Sequence, residues 1–122
     1  MYEPDYKAYE KRYQVVYAAG AERWGHSPDD EVLYKTLKSW VEENNLQGKT
    51  MIEYACGEGA CGVILSELGY IYHGVDISPS AIAKCKDLLK KISDANCNSR
   101  LQFAREKKNR FRLKYIEFAK YL

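Results

Sequence analysis

The sequence predicts an α/β fold in which parallel strands are joined by helical crossovers. Residues 50–55 form a short apolar run that leads into Gly57-Glu58-Gly59 and then into helical spacing. The same succession of apolar run and helix returns after about 20 residues, with residues 70–75 and a helix beyond Pro79. Strands separated by a helix of this length lie parallel, with right-handed connections between them.

Each element has its own signature. Residues 5–20 mix Tyr, Val and Ala with charges at helical spacing, and Gly20 is the expected stop. AERWGHSPDD reads as a loop, with Ser27-Pro28 opening the next helix. Val32, Leu33, Leu37, Trp40, Val41 and Leu46 place an apolar face on residues 29–46, and Asp29, Asp30 and Glu31 crowd its first turn, where the helix dipole favours negative charge. Asn44, Asn45 and Gly48 end it.

The period then changes. Residues 50–55 read as a strand buried on both faces. Helical spacing covers residues 60–68 up to Gly69, and residues 70–75 are a second strand closed by Asp76. Ser78 and Pro79 are an N-cap and first-turn pair for a helix running to about residue 92. DANCNS reads as a turn-like linker, and residues 101–104 as a third strand. Residues 105–122 read as a basic amphipathic helix whose stripe of Phe111, Tyr115, Phe118 and Leu122 is packing surface. The expected organisation is one domain, with an N-terminal helical region (1–48), an α/β core (49–104) and the C-terminal helix (105–122).

Composition bounds the function. A chain of 122 residues with 46% apolar and 30% charged residues is a single small globular domain. It has no apolar run near the roughly 20 residues that span a bilayer. The polar start MYEPDYKAYEKRY does not fit a secretory signal, so the expected location is the cytoplasm, without a membrane partner. Cys56, Cys61, Cys85 and Cys97 form no CxxC pair, and only His26 and His73 could join them, so free thiols are expected and no metal site. Residues 1–83 hold 7 Lys/Arg and 13 Asp/Glu, whereas residues 84–122 hold 12 Lys/Arg and 4 Asp/Glu. The basic tail reads as a solvated helix face, with nucleic acid or an acidic partner as the alternative.

The chemistry concentrates in Glu53-Tyr-Ala-Cys-Gly57-Glu-Gly59, with Asp76 nineteen residues beyond Gly57. Glycines between a strand and a helix let a ligand approach the backbone and the helix's first N–H groups. An acid ending the neighbouring strand can accept the hydroxyls of a ribose. Together they indicate a nucleoside cofactor. Gly57-Glu58-Gly59-Ala60-Cys61-Gly62 also matches the dinucleotide pattern GxGxxG. Charge separates the two cases: Glu53 and Glu58 flank the loop, and residues 50–83 contain no Lys or Arg. A pyrophosphate is disfavoured there, and a sulfonium nucleoside is favoured.

These residues resemble class I S-adenosylmethionine-dependent methyltransferases, especially small-molecule-type bacterial members. Glu53, Gly57 and Gly59 match the family's first motif, an acid followed by CGxG; Asp76, Ile77 and Ser78 match its second, an acid followed by a hydrophobic residue and serine. The resemblance implies a Rossmann-like three-layer αβα fold with parallel strands, truncated relative to the seven-stranded methyltransferase fold. It implies S-adenosylmethionine as cofactor, with Glu53 near the methionine ammonium, Gly57, Glu58 and Gly59 lining methionine and ribose, Asp76 on the ribose hydroxyls and Ile77 on the adenine. Cys56 stands where the family often has cysteine and reads as packing. Trp24, on a segment resembling the family's N-terminal helices, is a candidate cover for the cofactor.

The expected function is methyl transfer to a small-molecule acceptor, with no residue assignable as a base. An exposed sheet edge leaves room for a homo-oligomer to cover it, with the oligomeric state left open. The alternative is a non-catalytic module that uses the basic C-terminal helix for RNA, protein or self-association. An NAD-dependent oxidoreductase survives only on the GxGxxG match.

Overall fold

The computed structural model describes residues 5–46, 48–92 and 94–105. Its elements are α1 (Asp5–Ala18), α2 (Glu31–Glu43), β1 (Thr50–Tyr54), α3 (Ala60–Glu67), β2 (Ile71–Asp76), α4 (Pro79–Lys91), α5 (Ala95–Ser99) and β3 (Leu101–Arg105). The strands form one parallel sheet in the order β1-β2-β3, with Glu53 level with Gly74 and Gly74 level with Phe103. Residues 101–104 are thus a strand as the sequence predicts, extended by Arg105. The predicted C-terminal helix otherwise lies outside the described residues. Among the described residues no helix is long and apolar enough to cross a membrane.

Local chemistry sets the helix starts. The Ser78 side chain accepts from the Ala81 N–H at 3.1 Å with Pro79 in the first turn, so α4 begins where expected. Lys90 and Lys91 occupy its last turn, where the dipole favours cations. The start of α2 differs. Asp30, not Ser27, is its N-cap, accepting from Val32 N and Leu33 N at 2.9 and 3.0 Å. Ser27 instead closes the preceding turn, its carbonyl accepting from Asp30 N at 3.1 Å. The predicted linker DANCNS holds a short helix, α5, because Asp94 caps it and Cys97 is buried within it.

The core lies against one face of the sheet. Met51, Tyr72, Leu101 and Phe103 alternate toward Val63 and Leu65 of α3, Ile82 and Cys85 of α4, and Val41 of α2. The α3 helix is buried nearly all round because it sits on β2 and in turn carries α2. Its approach to the sheet depends on Gly62, where an added Cβ would lie 2.4 Å from the Tyr72 ring. An outer tier forms as α1 packs on α4.

The opposite sheet face corrects one expectation. β1 was predicted to be buried on both sides, yet Ile52 is 44% exposed, as is Ile71 of β2 at 50%. Burial is decided by what packs on a strand, and the helices that flank β1 in sequence gather on the Met51 side.

Candidate functional site

The site is built at the carboxyl ends of β1 and β2, where an open parallel sheet presents its crevice. The β1–α3 loop turns by placing Ala55, Gly57 and Gly59 in the left-handed region, at φ of 63°, 57° and 86°. Glycine adopts this region freely, but at Ala55 it costs about 1–2 kcal/mol. The two glycines were legible as loop residues; Ala55 was not, because alanine carries no local signal for such a conformation. Gly59 also precedes α3 without a side-chain cap, and a Cβ there would meet Cys85 Sγ and Phe103 Cζ at 3.0 Å.

Asp76 fastens this loop to the second strand. Its Oδ2 accepts from Gly57 N at 2.8 Å and its Oδ1 from Ser78 N at 2.9 Å. Burial raises the carboxyl above its ordinary range, while the Ser78, Gly57 and Ile77 amides pull it back. The second-strand acid therefore stands beside the glycine loop, as the sequence requires. Ile77 follows it, half-buried.

The two glutamates of the loop part company. Glu53 lies on the helix-covered face of the sheet and accepts a hydrogen bond from the Tyr72 hydroxyl. Burial pushes its carboxyl up to about 7, with the Asp76 charge adding to this and the Tyr72 hydroxyl opposing it. Glu58, by contrast, is 5% exposed and turned toward the N-terminal segment. It accepts from Gly25 N at 2.6 Å, Trp24 N at 3.0 Å and the Tyr17 hydroxyl at 2.5 Å. Arg23 adds a bond to the Glu58 carbonyl at 2.9 Å. The sequence places both carboxylates around a cofactor; Glu58 is instead committed to the 23–25 loop, whose amides need an acceptor once the loop packs down.

A second carboxylate ties α1 to the site. Glu10 accepts from Ser78 Oγ at 2.6 Å and from Ser80 N and Oγ at 3.0 and 2.6 Å. Ser78 is fully buried between this contact and its capping role. Tyr13, one turn along α1, lies over the loop: a Cβ on Gly57 would be 3.2 Å from its hydroxyl. Its phenol is raised by burial and by the negative groups Asp76 and Glu58. Trp24 packs edge-on against Tyr13 at 5.0 Å and remains 41% exposed. Glu10, Tyr13 and Tyr17 were missed in the sequence because their partners lie 41 to 70 residues away, and an abundance of Tyr hides the two that matter.

Cys56 is buried against Cys85, whose thiol donates to the Gly57 carbonyl at 3.1 Å. The Cys85 contact and then burial raise the Cys56 thiol far above its ordinary range, which suits packing and not nucleophilic chemistry. The structure thus brings Glu53, Cys56, Gly57, Gly59 and Asp76 together, with Trp24 on the covering segment, and turns Glu58 and Ser78 toward α1 and its loop.

Comparison with known proteins agrees with this geometry. No family model matches the chain. It is 39% identical over 49 residues to the ribosomal protein L11 methyltransferase of Photorhabdus laumondii subsp. laumondii, covering 39% of this chain and 17% of that protein. The same enzyme of Aliivibrio salmonicida is 41% identical over 49 residues, with the same coverage. Among solved structures, the glycopeptide N-methyltransferase MtfA complexed with sinefungin superposes with a TM-score of 0.55 at 16% identity, covering 61% of this chain and 32% of that one. Its complex with S-adenosyl-L-homocysteine covers 77% of this chain and 38% of that one, at 15% identity and a TM-score of 0.53. The chain spans about a sixth of the length of the curated relatives it matches.

The described residues share the Rossmann-like fold of these methyltransferase structures, with three parallel strands and flanking helices. The expected small-molecule acceptor is corrected: the curated relatives are named for a ribosomal protein. The motifs in residues 49–83 are those of a cofactor cradle by resemblance, and such motifs hold no information about an acceptor.

Proposed function

We propose that the chain binds S-adenosylmethionine at the β1–α3 loop and provides the cofactor half of a methyltransferase. The carrying observation is the Asp76 carboxylate bonded to Gly57 N, which sets a second-strand acid, a ribose acceptor in such sites, beside a left-handed glycine turn. Donor chemistry supports the same ligand. Residues 50–83 contribute no Lys or Arg, and Glu53 offers a carboxylate to a cationic group.

The bound cofactor would supply a sulfonium methyl for in-line displacement by a nucleophile. The chain's own part is to bind and orient. Gly57 and Gly59 give the loop its left-handed turn beneath Tyr13, Asp76 would hold the ribose hydroxyls, and Glu53 would hold the ammonium. Tyr13 and Trp24 cover the loop and exclude water. Rate acceleration in such a site comes mainly from alignment, and no described residue is assigned as a base. For the acceptor we put forward a polypeptide, on the support of relatives named for a ribosomal protein and a glycopeptide.

Titration calorimetry with S-adenosylmethionine and with NAD tests the reading. Heat of binding with the former alone is expected. Silence at millimolar S-adenosylmethionine, or tighter binding of NAD, overturns it.

A further inference from the structure

Tyr13 is the one buried side chain among those described on α1, and it is buried over the glycine loop. A Cβ on Gly57 would stand 3.2 Å from the Tyr13 hydroxyl. A ligand atom, which needs about 3.5 Å on either side, has no room between that hydroxyl and the loop. Asp76, Glu58, Cys56 and Cys85 lie within electrostatic reach of the same phenol, so it stands where the loop meets the end of β2. The helix that carries it is held by polar fasteners. Glu10 takes the Ser78 and Ser80 hydroxyls and the Ser80 amide, Tyr17 gives its hydroxyl to Glu58, and Lys84 rests on the Tyr17 ring at 4.9 Å. No described residue of α1 belongs to the apolar core against the sheet. Polar fasteners exchange for water at a net cost far below that of opening a core. The attachment of α1 thus lets it lift while the sheet and α4 stay in place.

We propose that Tyr13 is a stopper in the cofactor seat: a ligand reaches the glycine loop only when α1 lifts from α4. The proposal rests on the reading of the loop as an S-adenosylmethionine cradle and adds how access to it is controlled. The cover that keeps water from the loop also keeps a nucleoside from it, because the two compete for one place. Measured affinity is then the intrinsic affinity of the loop reduced by the fraction of molecules in which α1 has lifted.

S-adenosylhomocysteine is the probe, and calorimetry compares its binding to the unmodified chain, Tyr13→Ala and Glu10→Gln, each checked for folding by circular dichroism. A stopper predicts tighter binding when it is removed or loosened, by roughly tenfold in Tyr13→Ala and about fivefold in Glu10→Gln. A side chain that packs on bound ligand predicts the opposite sign. Weaker or unchanged binding in Tyr13→Ala therefore overturns the proposal and leaves the cradle standing. Should that variant fail to fold, amide exchange of the unmodified chain decides the matter. A 14-residue helix without packing is marginal in water, so the α1 amides are expected to lose protection on saturation with the ligand. Slowed or unchanged exchange along α1 overturns the stopper. Absence of binding in the unmodified chain and in both variants overturns the cradle reading, and the stopper with it.

Discussion

Glu53 and Glu58 sit five residues apart on the same strand and loop, yet they are opposite kinds of carboxylate. The region around Glu58 is a knot of donors: two backbone amides and a phenol converge on a nearly inaccessible side chain. The region around Glu53 offers a single hydroxyl and no cation. One glutamate holds the N-terminal segment to the core. The other, its carboxyl raised by burial, is expected to weaken the fold as pH rises through neutrality. Charge pattern in a sequence counts both alike, and only the direction of each side chain separates them.

The largest effect is expected at Glu58. Glu58→Ala orphans the Trp24 and Gly25 amides together with the Tyr17 hydroxyl, and should lower unfolding free energy by about 3 kcal/mol in urea titrations. Amide exchange at Trp24 and Gly25 should accelerate with it; unchanged protection there would end the idea that Glu58 is a fastener.

Glu53 should answer in the other direction. A folded carboxyl raised to about 7 from an ordinary 4.5 binds more protons than the unfolded chain between these values, so stability falls as pH rises through that window. Glu53→Gln should therefore raise stability at pH 8 by up to about 3 kcal/mol and change it little at pH 5. A loss at both pH values would remove the contrast with Glu58.

Between the two lies Ala55. Replacing it with glycine relieves the left-handed alanine and should stabilise the chain by about 1 kcal/mol, while Ala55→Val should destabilise it by more. Equal melting temperatures for all three would show that the loop relaxes to another backbone path. The smallest effect belongs to Glu10, a carboxylate of the Glu58 kind. Its hydrogen bonds to Ser78, Ser80 and Gln14 hold it below its ordinary range. Their stabilisation is present above pH 4.5 and fades as pH falls through the lowered value. Glu10→Gln should cost about 1 kcal/mol at pH 7 and flatten acid unfolding below pH 4.5, as read by circular dichroism.

These contrasts also explain what the sequence could carry. β1, α3, β2 and α4 were readable because strand period, a glycine pair and the Ser78-Pro79 cap are local signals. The placement of Asp76 beside Gly57 was readable too, because parallel pairing of adjacent strands brings their carboxyl ends together. The orientation of Glu58, the cover formed by Tyr13 and the bare Ile52 side of β1 were not, since each depends on residues distant in the chain. The choice of Asp30 over Ser27 as a cap fell to the better-placed acceptor in a segment with several.

The Glu10–Ser80 bridge joins residues 70 positions apart. Closing a loop of that length costs about 4 kcal/mol of chain entropy before any bond repays it. Refolding should thus build the sheet with α3 and α4 early, through contacts of shorter span, and seat the first helix late. The same helix should be the first to detach under mild denaturant, so that the glycine loop is uncovered while the sheet behind it is still intact.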